Sequence, residues 1–409
     1  MSGVSDTTTE PQPVPEGTRL LHIGPPKTGS TALQAAMHGK RAEMRAHGVE
    51  LVASDQRGRE AVWAALTNPD FDERHDPRLF RRWRKLLEEV EGAGGQRVCL
   101  SNESLAQLEG DEVRRMVGAL GGERAHVVAA VRRLDRLLPS HWQEWVRIGS
   151  TSLTFEQWLE VVLGDDRDSR HWQEFWLPND LEKVVDRWMR ATARDRFTLI
   201  ILDEGNPRLL SQAFERLLGL PDGLLKPEES HRRNASASMA RVELVRRVNQ
   251  ALDAEDWPEE VTTALRSRVA KRIRSAPQWD GEAPIPPLPA WAAARVHDLN
   301  EQRAQLVESL GVQVIGDPAI LAAPVPDAEG ADGWTDQVST ELAAQSVVTA
   351  IGGAVELLAG QRPDRPRAKA RPDQPGPASG SQALDRFPAR QLARELRRRA
   401  VRRVLGRRT

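Results

Sequence analysis

Short apolar runs alternate with segments of helical period up to about residue 320. In the helical segments apolar side chains recur every three or four positions, as Phe80, Trp83, Leu87 and Val90 do, and this spacing is typical of amphipathic helices. Strands separated by helices predict an α/β domain whose parallel sheet is flanked by helices. The apolar runs that predict strands lie at residues 18–24, 49–52, 96–100, 124–131, 197–202 and 312–315.

The stretch from Leu20 to Leu33, LLHIGPPKTGSTAL, contains the clearest candidate site. Its apolar start predicts a strand, the Gly-Pro-Pro that follows breaks the pattern, and helical composition resumes at Ser30. A loop between a strand and a helix gathers backbone N–H groups, and the positive end of the helix dipole faces the same point. The stretch therefore predicts a binding site for an anion, most simply a phosphate.

The loop does not fit the nucleoside-triphosphate pattern G-x-x-x-x-G-K-[ST]. Gly24 and Gly29 have the required spacing, but Ser30 occupies the position of the lysine, and the lysine of this loop is Lys27. The chain contains 7 Lys against 51 Arg, so a lysine here indicates that a compact, mobile ammonium group is wanted. Lys27 is therefore a candidate binding cation of the loop, and the alternative is a solvated surface charge.

Pro-Lys-Thr-Gly-Ser-Thr after a strand resembles the 5′-phosphosulfate loop of sulfotransferases that use 3′-phosphoadenosine 5′-phosphosulfate (PAPS). The resemblance covers residues 18–317 and implies the sulfotransferase fold, a P-loop-type parallel sheet flanked by helices. It implies that Lys27 reaches the oxygen that bridges phosphate and sulfate, that loop amides and hydroxyls hold the 5′-phosphate, and that no metal ion takes part. The cofactor-binding residues implied in the loop are Pro26, Lys27, Thr28, Gly29, Ser30 and Thr31.

A second phosphate contact is implied at the end of the 124–131 strand. In the same family an Arg at this strand end and a Ser eight residues later hold the 3′-phosphate, and Arg132 and Ser140 have this spacing. A guanidinium can bind a phosphate through two parallel hydrogen bonds, and two helical turns bring the hydroxyl round to the same side. Arg133 is an alternative to Arg132, and Pro139 is expected to kink or restart the helix that carries Ser140.

Glu103 follows the 96–100 strand, within Ser-Asn-Glu-Ser. Ligands of doubly wound sheets bind at the carboxyl ends of the strands, where a carboxylate can accept the proton of an attacking hydroxyl or amine. Many sulfotransferases have a Glu or His base at this place, so the resemblance implies a catalytic role for Glu103. The alternative is structural: Ser101 would cap a helix, and Glu103 would be a favourable charge in its first turn.

A basic segment at residues 230–236 contains Arg232 and Arg233. Arg-x-Asn-x-Ser segments occur in bacterial sulfotransferase-like proteins, where a basic loop closes over the nucleotide. The resemblance implies phosphate contacts from Arg233 and, beside it, Arg232. A basic loop that leads into a helix is the simpler explanation, and the sequence leaves both open.

Composition divides the chain into four parts. Residues 1–17 lack apolar content and predict a disordered arm, and residues 18–322 form the predicted sulfotransferase-like domain. Residues 323–378 are rich in Ala, Gly, Pro and Asp and predict a linker with room for one helix. Residues 379–409 place Leu and Val among Arg at helical spacing, which predicts a basic amphipathic tail.

The charges are distributed unevenly along the chain. It carries 58 Lys+Arg and 59 Asp+Glu, but residues 361–409 hold 15 basic against 4 acidic side chains. A basic tail on an acidic body is suited to contact with an anionic membrane or another polyanion. The tail could equally be a solubilising or an inhibitory arm. We expect no nucleic acid as partner.

Cysteine usage and the amino-terminal sequence bear on the compartment. Cys99 is the single cysteine, which excludes a disulfide framework and a thiolate metal cluster. With no signal peptide, the sequence predicts a cytoplasmic protein, and contact of the tail with a membrane would make it peripheral there.

These features together predict a sulfotransferase that moves a sulfuryl group from PAPS to a hydroxyl or amine of a glycan, glycolipid or small metabolite. Lys27 would stabilise the leaving oxygen and Glu103 would remove the proton of the acceptor. An atypical P-loop kinase or other nucleotide-binding enzyme is the alternative among enzymes. A catalytically inactive sulfotransferase-like scaffold is the alternative outside them.

Overall fold

The computed structural model describes residues 12–227, 237–255, 258–275 and 283–327, and parts of 340–352. The basic segment with Arg232 and Arg233 lies outside the described residues, as do the arm up to residue 11, most of the predicted linker and the tail 379–409.

The strands predicted from the apolar runs are all present, each within two residues of its expected bounds. They are β1 (Arg19–Gly24), β2 (Val49–Val52), β3 (Arg97–Ser101), β4 (Ala125–Val131), β5 (Phe197–Ile201) and β6 (Gln313–Ile315). They form one sheet in the order β2-β3-β1-β4-β5-β6, and all neighbouring pairs are parallel. The prediction of an α/β fold with a parallel sheet flanked by helices is confirmed.

Helices connect and follow the strands of the described residues. None of them combines the length and the apolar content that a bilayer crossing needs. The helical composition that resumes at Ser30 forms two helices that meet at Lys40, just after Gly39, a poor helix former. The helices are α1 (Ser30–Gly39), α2 (Arg41–Ala46), α3 (Gln56–Thr67), α4 (Pro77–Gly92), α5 (Gly110–Ala119), α6 (Leu134–Ile148), α7 (Phe155–Leu163), α8 (Arg170–Asn179), α9 (Leu181–Met189), α10 (Leu209–Leu218), α11 (Met239–Asp253), α12 (Glu259–Ser275) and α13 (Ala290–Ser309).

Side chains of successive strand residues enter two different cores. Leu21 and Ile23 of β1 pack with residues of α3, α4, α5, α9 and α13, whereas Leu20 packs with residues of α1, α2 and α10 on the opposite face. Because both faces are covered, β4 is buried at every position of its sequence AHVVAAV. The carboxyl ends of the strands are left as the edge on which polar side chains can gather.

Contacts between Cα atoms divide the chain into two compact units. The first, Met1–His141, Glu156–Ser236 and Pro287–Gly330, contains the whole sheet. The second consists of Trp142–Phe155, Ala237–Pro286 and Ala331–Thr409. The domain boundaries expected from the sequence stay a prediction.

The described part of the second unit is helical and has buried polar anchors. The rings of Trp142 and Phe155 lie 5.1 Å apart. Arg246 Nη1 donates to the Ser152 carbonyl at 2.7 Å, and Asn249 Nδ2 donates to the Val146 carbonyl at 2.6 Å. These bonds join α11 to the segment that ends α6.

The last residues of the predicted arm pack against the sheet unit. Val14 is buried, its N–H donates to the Leu217 carbonyl at 2.9 Å, and its carbonyl accepts from Arg97 Nε at 2.7 Å. Ordered structure therefore begins before Thr18, because one apolar side chain with two backbone bonds is enough to tie a short segment down.

Candidate functional site

The loop between β1 and α1 has an unusual backbone. The Gly24–Pro25 peptide bond is cis, and Gly24, Lys27 and Gly29 have positive φ angles of 86°, 70° and 86°. Glycine adopts this region freely, but a residue with a side chain such as Lys27 loses about 1–2 kcal/mol there. The Thr28 hydroxyl, which donates to the Pro25 carbonyl at 2.6 Å, braces the turn. A strained side-chain residue in a braced loop is characteristic of functional sites.

The amino end of α1 has the properties of an anion site. Its N-cap is Gly29, no side chain caps the free amides of the first turn, and that turn contains no acidic residue. The Ser30 hydroxyl is buried and has no hydrogen-bond partner among the described residues. Unsatisfied donors at a positive helix end fit a phosphate group, so the residues present suit the 5′-phosphate of a nucleotide.

Glu103 lies directly against this loop. A Cβ atom placed on Gly24 would come within 2.8 Å of Glu103 Cβ, so only glycine allows the two backbones to approach this closely. The approach follows from the sheet, in which β3 pairs with β1. Glu103 Oε2 accepts a hydrogen bond of 2.8 Å from Gln34 Nε2 of α1. The carboxylate is therefore oriented by the helix that begins at this loop.

Ser101 does not cap a helix, although the structural alternative expected it to do so. Ser101 is the last residue of β3, and Asn102 caps a short 3₁₀ helix, Glu103–Gln107, by accepting from the Ser104 N–H at 3.1 Å. The Ser101 hydroxyl instead lies 2.7 Å from His22 Nδ1. Glu103 does stand in the first turn of a helix, as the structural alternative expected, and its role as base stays a prediction.

Arg132, and not Arg133, contacts the loop. Arg132 Nη1 donates to the Lys27 carbonyl at 3.2 Å, because β4 lies beside β1 and ends at the same edge. Arg133 turns away: its guanidinium donates to Asp135 at 2.9 Å and to the Pro324 carbonyl at 2.9 Å. The alternative in which Arg133 replaces Arg132 is therefore not supported by the geometry.

Ser140 is not joined to this group. Its hydroxyl donates to the carbonyl of Arg136 in its own helix at 3.2 Å. Pro139 lies inside α6, and the helix runs through it without restarting. The remaining predicted contacts, Pro26 and Thr31, lie in the loop and the first turn of α1, where Thr31 is exposed.

Two buried residues of α13 hold the backbone that carries Arg132. Arg303 Nη1 donates to the Arg132 carbonyl at 2.9 Å, and Asn300 Oδ1 accepts from the Leu134 N–H at 3.1 Å. Burial lowers the pKa of Arg303 to about 10, so this guanidinium remains charged at neutral pH. These two hydrogen bonds from α13 fix the end of β4 and the start of α6.

Gln34 and Glu204 also belong to the site, and neither was predicted from the sequence. Glu204 follows β5, and its Oε1 accepts from Arg132 Nε at 2.9 Å and from Arg132 Nη2 at 2.7 Å. The rule that selected Glu103, an acidic residue at the carboxyl end of a strand, could have found Glu204. Gln34 lies four residues after Ser30 and so on the same face of α1.

His22 is too deeply buried to act on a substrate. It is inaccessible to solvent, and burial lowers its pKa to about 4. Its imidazole packs edge-on to Phe214 with 5.0 Å between ring centroids. The histidine is therefore neutral at neutral pH and belongs to the core under the loop.

Comparisons with known proteins leave the family open. No protein-family model matches the chain, and no curated protein matches it. Among solved structures, a sulfotransferase from Alicyclobacillus acidocaldarius is similar, with a TM-score of 0.34 and 14% sequence identity over 59% of this chain and 97% of that chain. The function has to be inferred from the geometry of the loop.

Proposed function

We propose that this protein is a sulfotransferase that uses PAPS and transfers its sulfuryl group to a hydroxyl or amine. The observation that carries the proposal is the meeting of three distant segments at one edge of the sheet. Glu103 packs on Gly24, and Arg132 donates to the Lys27 carbonyl of the same loop. An anion site with a cation on one side and a carboxylate on the other suits transfer of an anionic group to a protonated acceptor.

In this proposal the loop and the first turn of α1 bind the 5′-phosphate. The donors are the uncapped amides that follow Gly29 and the hydroxyls of Ser30 and Thr31. Arg132 binds the 3′-phosphate through its planar guanidinium. Ser140 joins it once its hydroxyl leaves the Arg136 carbonyl. Pro26 and Thr28 contribute by shaping the loop.

The chemical step divides between Lys27 and Glu103. PAPS, when bound, supplies the sulfuryl group. The Lys27 ammonium stabilises the negative charge on the leaving oxygen, since a cation in a partly desolvated site acts where charge develops. Glu103, held by Gln34, accepts the proton of the acceptor. The acceptor class, a glycan, glycolipid or small metabolite, and contact of residues 379–409 with an anionic surface or other polyanion, complete the proposal.

Titration calorimetry with 3′,5′-diphosphoadenosine, without magnesium, tests the nucleotide site. We expect the wild type to bind and Arg132→Ala to bind at least tenfold more weakly, about 1.4 kcal/mol, through loss of a charge-assisted hydrogen bond. Arg136→Ala is the matched control, because it removes the same charge two residues into α6 from a half-exposed side chain. Its affinity should stay within twofold of wild type.

Two results would contradict the proposal. Magnesium-dependent binding of ATP without binding of 3′,5′-diphosphoadenosine would favour the kinase alternative. Failure of the folded wild type to bind either nucleotide would leave a sulfotransferase-like scaffold.

A further inference from the structure

Arg132 has an anionic partner within the chain. The Glu204 carboxylate accepts two of its hydrogen bonds, at 2.9 and 2.7 Å, through one oxygen. This is the guanidinium that the proposed function assigns to the 3′-phosphate. A nucleotide with a 3′-phosphate must therefore displace Glu204 before it can pair with Arg132.

Displacement of Glu204 costs little. The Glu204 side chain is 53% exposed, so its carboxylate can move into solvent without disturbing the packing around it. Exposed ion pairs contribute little to stability, and a phosphate dianion offers more charge than one carboxylate. The neighbouring Asp203 does not share this role, because its carboxylate accepts from the Gly205 N–H at 2.7 Å.

Arg132 itself does not need to move for this exchange. Its carbonyl is held by Arg303, and its Nη1 donates to the Lys27 carbonyl. Only the half-exposed carboxylate changes place, while the loop and the strand end stay fixed. The guanidinium is thus kept in one position by backbone contacts whether Glu204 or another anion pairs with it.

We propose that Glu204 competes with the 3′-phosphate for Arg132 and so sets the affinity and the residence time of the nucleotide. The inference rests on the proposed function. The donor and the desulfated product carry the same 3′-phosphate, so a competing carboxylate weakens both and lets the product leave faster. A nucleotide without a 3′-phosphate leaves the Arg132–Glu204 pair intact and is unaffected.

Stopped-flow binding of 3′,5′-diphosphoadenosine and of 5′-AMP to wild type and Glu204→Gln tests this competition. We expect Glu204→Gln to bind the diphosphate about fivefold more tightly, mainly through slower dissociation, as loss of a competing exposed ion pair implies. Its affinity for 5′-AMP should not change. Glu204 is half-exposed and outside the core, and thermal unfolding checks that the variant is folded.

Two further variants separate direct competition from a general effect of charge. Asp203→Asn removes the same charge one residue away and keeps an oxygen for the Gly205 N–H, so it should leave the affinity unchanged. In an Arg132→Ala background, Glu204→Gln should have no effect. Equal tightening by Asp203→Asn, or tightening that persists without Arg132, would overturn the inference.

The failures can be told apart. If wild type binds 3′,5′-diphosphoadenosine and Arg132→Ala weakens it, but Glu204→Gln does not tighten it, the competition is refuted and the proposed function stands. If neither wild type nor Glu204→Gln binds, the proposed function is refuted and the inference falls with it.

Discussion

Two arginines flank the central strands of the sheet at opposite edges, and they are bound in opposite ways. Arg19 begins β1 and is 1% exposed, and its guanidinium donates to the carbonyls of Gly17 and Gln96 at 3.0 Å and of Val90 at 3.1 Å. Arg132 follows β4 at the other edge, with a side chain 23% exposed and a carboxylate as its main partner.

The two arginines differ in whether their hydrogen-bond partners can be exchanged. Backbone carbonyls are fixed by the fold, so Arg19 cannot exchange them, and its role is to join the start of β1 to the turn after α4. The Glu204 carboxylate is half-exposed, so the fold does not fix its pairing with Arg132 in the same way. At the amino edge of the sheet the arginine is held by backbone groups, whereas at the carboxyl edge it is paired with a side chain that solvent can reach.

The largest expected effect contrasts these two residues directly. Arg19→Met leaves buried carbonyls without a donor, each worth about 1–3 kcal/mol, so we expect a loss of about 3 kcal/mol or more in the free energy of unfolding. Arg132→Met should cost less than about 1 kcal/mol, since a half-exposed ion pair contributes little. Urea denaturation of both variants measures this. If both variants lost the same free energy of unfolding, the two arginines would not differ in their structural role.

The next effect concerns a buried histidine near each edge. Burial lowers the pKa of His22 and of His126 to about 4, below the usual value of about 6.5. The unfolded chain therefore takes up protons first, and stability present above pH 6.5 is lost as the pH falls towards 4. Between pH 7 and pH 5 we expect a loss of about 2 kcal/mol for each histidine.

Urea denaturation at pH 7, 6 and 5 measures this loss, and variants assign it. His126→Gln keeps an amide for the Thr198 hydroxyl, which lies 2.8 Å from His126 Nε2, and should remove about half of the loss. His47→Gln, at an exposed position, should remove none. An unchanged pH dependence in His126→Gln would show that this histidine takes up its proton over the same pH range in the folded and the unfolded chain.

The smallest effect tests the backbone of the loop between β1 and α1. Lys27→Gly relieves the positive φ of 70° and Lys27→Ala does not, so the glycine variant should be more stable by about 1 kcal/mol. Both variants lose the ammonium group and should bind 3′,5′-diphosphoadenosine equally weakly. At Lys40, where φ is −108°, glycine should give no gain over alanine. Thermal unfolding compares the stability of the four variants. If glycine stabilised the protein over alanine at Lys40 as much as at Lys27, the backbone at Lys27 would not be strained.

Elements buried on both sides could be predicted from the sequence, and local details at their ends could not. The runs at 49–52 and 124–131 predicted β2 and β4 almost to the residue, because parallel strands covered on both faces are mostly apolar, with Glu50 and His126 as the exceptions here. The cap at Ser101 was wrong because β3 extends one residue further. The break at Lys40 was missed because the helical period continues across it.

The sequence by itself determined the α/β alternation and the strand–loop–helix segment that contains Lys27, since both depend on residues that are close along the chain. Only the tertiary structure decided which arginine lies at the loop and which carboxylates face it. Glu103, Arg132 and Glu204 come together because β3, β1, β4 and β5 are neighbours in the sheet. Strand order is set by packing between distant segments, and the spacing of residues along the chain does not encode it locally.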